Sequence, residues 1–107
     1  MESNSNLKEY LSLKKVLVIL QNMLTGDQIA AGRRLAGIRS QADLAAASGV
    51  SRPTVERAEA ARALIPSMNA DAMARIVKAL EAAGVEFFLS PGASLVGEVS
   101  MQRRMKG

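Results

Sequence analysis

The side chains best suited to chemistry in this sequence lie close together: Ser51, Arg52, Pro53, Thr54 and Arg57, with Gln41 ten residues upstream. Two guanidiniums and two hydroxyls at this spacing suit binding rather than bond making. The planar fork of arginine matches phosphate oxygens and the guanine edge. The surrounding span 25–62 carries Arg33, Arg34, Arg39, Arg52, Arg57 and Arg62 against Asp27, Asp43, Glu56 and Glu59, with no lysine. The chain has no His and no Cys. That removes imidazole triads, thiolate chemistry, disulfides and the usual zinc ligands. Glu56 and Glu59 share one short segment with basic neighbours and make no acid/base pair. The expectation is a non-enzymatic binding protein with no cofactor and no metal.

Composition narrows the partner. The chain has 107 residues, 49% of them hydrophobic, and 14 Lys+Arg against 10 Asp+Glu give a net charge of +4. Aromatic residues are only 3% (Tyr10, Phe87 and Phe88), too few for the stacking platform that reads single-stranded nucleic acid. The apolar run Val16–Leu20 is too short for a signal-peptide core or a membrane span. A cytoplasmic location without membrane contact is expected.

The elements that must hold these side chains are marked by their starts and stops. Thr25-Gly26-Asp27-Gln28 is a capping box. The helix it opens turns Ile29 and Leu35 inward and stops at Gly37. Ser40 and Asp43 start a second, short helix with Leu44 and Ala45 inward, ending at Gly49. Ser51 caps a third, with Pro53 at its second position, where the missing N–H costs nothing. Val55, Ala58 and Ala60 or Ala61 form its inward stripe. Ile65-Pro66-Ser67 breaks the pattern, and Asn69 and Asp71 open a longer helix with Met73, Ile76, Val77, Leu80 and Ala83 on one face. After Gly84 the period changes to that of strands: Val85–Leu89, a turn cluster at 90–94, and Leu95–Met101 predict a hairpin that needs a helix face or a second copy to pack on. Before Thr25, Leu7, Tyr10, Leu11, Leu17, Val18 and Leu24 fall near helical spacing, although VLVIL also suits a buried strand; helix is the expectation.

Two capped helices joined through Ser48-Gly49-Val50 have the sequence form of a helix-turn-helix. Ala45 allows close approach, Gly49 makes the turn, and Val50 and Val55 face the core. Arg52, Pro53, Thr54, Glu56 and Arg57 then point away from it. A helix presented this way fits the major groove of duplex DNA, about 12 Å wide.

The stretch SQADLAAASGVSRPTVERAEA resembles the helix-turn-helix of the Cro/CI-type (XRE) family of repressors, through Ser40-Gln41, Leu44-Ala45, Gly49-Val50-Ser51, Val55, Arg57 and Glu59. The likeness covers roughly residues 25–83. It implies that Gln41 binds a phosphate at a helix N-terminus, that Ser51 caps and touches phosphate, and that Arg52, Pro53 and Arg57 face the bases, with Arg57 the main specificity contact. Thr54 would meet a thymine methyl or the backbone. It also implies an ion pair from Glu59 to Arg33 or Arg34, with Arg33 favoured. This sequence departs from the family pattern at Pro53, where relatives carry a polar reader. It departs also at Ala58, smaller than usual, and in the loop before Gln41, longer by Arg39.

The fold expected on this basis is mostly α: a lambda-repressor-like helix-turn-helix bundle of four to five helices with a short C-terminal β-hairpin. Its parts are an N-terminal extension (1–24, a helix or dimerisation element), the helix-turn-helix domain (25–84), and a hairpin with a basic tail of Arg103, Arg104 and Lys106 (85–107, also a candidate dimerisation element). The expected function is sequence-specific binding of double-stranded DNA by a homodimer that regulates transcription, by repression. The alternative is a protein-interaction module of the same fold, such as an antitoxin or anti-activator whose main target is a protein partner.

Overall fold

The computed structural model describes residues 23–89 and 99–103. Four helices and one two-stranded antiparallel sheet follow in order: α1 (Gly26–Leu35), α2 (Gln41–Ser48), α3 (Arg52–Ala60), α4 (Ala70–Ala82), β1 (Val85–Leu89) and β2 (Val99–Arg103). The expected helix or strand before Met23, the turn at 90–94 and the tail from Arg104 lie outside the described residues.

Each helix starts where its cap residue predicts. The Gln28 N–H donates to Thr25 Oγ1 at 3.2 Å while the Thr25 N–H donates to Gln28 Oε1 at 3.0 Å, closing the box at the head of α1. Ser40, Ser51 and Asn69 accept from the N–H groups of Asp43, Thr54 and Ala72 respectively. Between α2 and α3 the chain reverses through Gly49 at φ 73°, in the left-handed region that a side chain would strain.

The core is one cluster. Leu24, Ile29, Leu44, Val55, Met73, Ile76, Leu80 and Val85 are fully enclosed, and Ala45 and Ala58 are buried where helices cross. In α4 the buried set is Met73, Ile76, Val77, Ala79 and Leu80: the expected stripe with Ala79 in place of Ala83, which is the half-buried C-cap. Leu24, placed at the end of the extension, packs with the domain core. It precedes the Thr25 cap, yet it is as buried as Ile29, the fourth residue of α1. Those two positions are the pair that staples a chain onto a helix start, so Leu24 belongs to the core.

The described part of the second strand, Val99–Arg103, overlaps the expected Leu95–Met101 and runs two residues past its end; it pairs Val85 with Arg103, Phe87 with Met101 and Leu89 with Val99. Residues 95–98 fall outside the described part. The register follows from the buried face. β1 packs on α4 and β2 on α1, with Val85 and Phe87 turned inward and Met101 beside them. A one-residue slip would carry Met101 to the opposite face. Arg103, assigned to the tail, instead closes the ladder opposite Val85.

Candidate nucleic-acid interface

The turn that separates α2 from α3 is tied from within. Ser48 Oγ donates to the Leu44 carbonyl at 2.7 Å and accepts from the Val50 N–H at 3.3 Å. Val50 is thereby held in the core, and Ser51 emerges as the cap of α3. Ser51 Oγ and Thr54 Oγ1 lie 2.7 Å apart, so the two hydroxyls also bond to one another. With Val55 and Ala58 buried, the helical period leaves Ser51, Arg52, Pro53, Glu56 and Arg57 exposed and Thr54 half-buried. The expected site residues of α3 therefore share one end of one helix.

Their guanidiniums differ. Arg52 Nε donates to Glu56 Oε1 at 2.8 Å, with the two side chains 66% and 45% exposed. Arg57 makes no hydrogen bond or ion pair among the described residues. It lines an open cleft of about 430 Å³ together with Ser51, Thr54, Ser67, Asn69 and Arg75. Arg75 belongs to α4, is paired with Asp71 at 2.9 Å, and has its Nη1 only 3.6 Å from where a Cβ on Gly49 would stand. The apolar stripe of α4 gives no sign of Arg75. No spacing signal links it to a turn 26 residues earlier.

Gln41 begins α2 and is half-buried, but its side chain is turned towards α3. Nε2 donates to Glu59 Oε1 at 3.2 Å. Glu59 also accepts from Arg33 Nε at 2.8 Å and from Arg33 Nη2 at 3.2 Å, while Arg33 Nη1 donates to the carbonyls of Ile38 and Arg39. Arg33, not the exposed Arg34, is thus the partner of Glu59, with side chains only 10% and 7% exposed. One bracket joins α1, the loop carrying the additional Arg39, the head of α2 and the exposed helix α3. Among the described residues no buried side-chain nitrogen or oxygen lacks a partner. The second Nε2 hydrogen of Gln41 makes no bond within the described residues.

At its other end α3 is clamped by the head of α1. The Gly26 N–H donates to the Leu64 carbonyl at 3.0 Å and the Asp27 N–H to the Arg62 carbonyl at 2.7 Å. Arg62 takes φ 53° to reverse the chain. The first N–H groups of α1, which have no partner inside their own helix, are thereby satisfied by the loop leaving α3.

Among the described residues there is no cluster of three or more possible metal ligands, and no helix is long and apolar enough to cross a membrane. In comparison with known proteins, no family model matches this chain and no curated protein matches it.

Proposed function

We propose that this protein is a sequence-specific binder of double-stranded DNA, of the lambda-repressor-like fold and Cro/CI type, that regulates transcription in the cytoplasm. It acts as a repressor and as a homodimer. The carrying observation is the exposure of Arg52, Pro53 and Arg57 on the first two turns of a helix whose other face is buried and whose position is fixed by Glu59. Such a helix can enter a major groove with its first residues at the base edges. Gln41 and Ser51, at the heads of two successive helices, suit the flanking phosphates. Two copies would place their α3 helices about 34 Å apart in successive grooves and cover a promoter.

The test is selection from a random duplex library at a stated salt concentration. Enrichment of paired half-sites about one helical turn apart supports the reading. Recovery of no preferred sequence, with binding that falls uniformly as salt rises, overturns it.

A protein-interaction module is the second reading, favoured by Leu64 and Ile65. These large apolar side chains are 72% and 41% exposed in the loop after α3, where no contact with duplex DNA is needed.

A further inference from the structure

We propose that Glu56 is a positioning residue for base recognition: it holds the Arg52 guanidinium with its terminal edge outward, so that Arg52 reads a guanine. This rests on the reading of α3 as a duplex-reading helix.

The pair makes little sense as helix stabilisation. Arg52 is the first residue of α3 and Glu56 lies one turn on. A cation at the N-terminal end opposes the helix dipole, and the order of cation before anion at this spacing is the weaker one. Exposed ion pairs contribute little to stability in any case. What the contact does fix is the orientation of a planar group. Glu56 Oε1 takes the Nε hydrogen of Arg52 at 2.8 Å. A guanidinium has one edge formed by Nε and Nη2 and another formed by Nη1 and Nη2. With the Nε edge engaged, the terminal edge keeps two parallel N–H donors, which have no partner among the described residues. That spacing matches guanine O6 and N7. The neighbouring Pro53 is exposed and has no side-chain donor, so of these two first helical residues only Arg52 can donate to a base.

The carboxylate also has an electrostatic consequence. Glu56 brings a negative charge to a face that meets phosphates, which weakens binding to every duplex equally. Where a guanine engages Arg52, the ordered guanidinium offsets that cost; elsewhere nothing does. Discrimination therefore rises while affinity falls.

The experiment uses the full chain with the duplex recovered by selection and its single-base-pair variants, measured by fluorescence anisotropy at fixed salt. The variants are R52A, R52K, E56A, E56Q and R52A/E56A. R52A is expected to lose preference for one G·C pair by about tenfold to a hundredfold. R52K keeps the charge and loses the same preference. E56A and E56Q lose preference at that same pair by several-fold, and the double variant behaves as R52A alone. Binding of an unrelated duplex tightens in E56A. Both side chains are exposed, and unchanged melting curves show that each variant folds. The inference is overturned if E56A keeps the wild-type preference at that pair, loses preference at a different pair, or combines with R52A by simple multiplication of effects. A wild-type chain with no duplex preference overturns the regulator reading and this inference with it, a result distinct from wild-type preference that E56A leaves unchanged.

Discussion

Arg33 and Glu59, 26 residues apart, meet through two hydrogen bonds of 2.8 and 3.2 Å in a nearly closed space between α1 and α3. Pairs of this kind add little net stability, since both ions lose water. They do penalise any arrangement in which one partner is buried alone. The pair therefore specifies where α3 sits relative to the rest of the domain, and hence where Arg52 and Arg57 stand.

Removing one partner is accordingly the severe change. Glu59→Ala leaves the Arg33 guanidinium buried with only two carbonyls for company and frees the Gln41 amide. A loss of about 3 kcal/mol is expected, in the range for broken buried pairs, read as a lower urea midpoint. Arg33→Met combined with Glu59→Leu should recover part of that loss. Recovery stays incomplete, because the Ile38 and Arg39 carbonyls lose their donors. Equal midpoints for Glu59→Ala and wild type would show that the pair carries no positional role.

Gly26 and Gly32 both lie in α1, and replacing glycine by alanine in a helix is intrinsically favourable by about 1 kcal/mol. Packing separates them. A Cβ on Gly26 would stand 2.5 Å from the Ala58 carbonyl oxygen, 2.6 Å from the Arg62 nitrogen and 2.8 Å from the Glu59 carbonyl oxygen. All three are backbone atoms, two in α3 and one in the loop that leaves it, and cannot yield without moving that backbone. On Gly32 the neighbours are Leu80 Cδ1 at 3.0 Å and Met101 Sδ at 3.2 Å, near the ends of flexible side chains. Gly26→Ala should cost about 1–3 kcal/mol as an overpacked core does, whereas Gly32→Ala stays within about 1 kcal/mol of wild type. Thermal melts of the two variants side by side decide it.

Arg57 is exposed and unpaired among the described residues, so its removal tests recognition without disturbing the fold. Arg57→Ala should melt as wild type does. Its preference for the selected duplex should fall by about 1–3 kcal/mol at one base pair, while weak, salt-sensitive binding persists. Wild-type preference in this variant would remove Arg57 from the base-reading set and leave recognition to Arg52.

The elements legible in the sequence were those governed by local rules. Caps at Thr25, Ser40, Ser51 and Asn69, the turn at Gly49 and the inward stripes all depend on residues within one or two turns, and the helices start and stop accordingly. The partner of Glu59 was narrowed to Arg33 or Arg34 because the resemblance supplied a long-range constraint. The second strand ends two residues later than its apolar pattern suggests, because its pairing with β1 and its contact with α1, not the pattern alone, select the register. Likewise nothing local shows that the Gln41 amide turns to Glu59, that Arg75 reaches the Gly49 turn, or that the head of α1 is bound to the loop after α3. The hairpin's inner face is already covered by α1 and α4, so a dimer seam on this element would have to use its outer face or a strand edge.

Leu24 and Leu64 show the same limit from the other side, and they yield a paired test. Both are leucines beside a helix end, outside the capped helices. Leu24 is fully enclosed with Ile29 in the core, whereas Leu64 is 72% exposed. Leu24→Ala should therefore cost about 2–5 kcal/mol, the transfer free energy plus the cavity it leaves. Leu64→Ala should lie within about 0.5 kcal/mol of wild type, since no packed neighbour loses contact. Urea unfolding of both variants checks this directly. If Leu24→Ala proves neutral, the Leu24 side chain does not contribute to the core in solution. If Leu64→Ala is strongly destabilising, its side chain is covered in solution and the apolar loop after α3 is not a free surface.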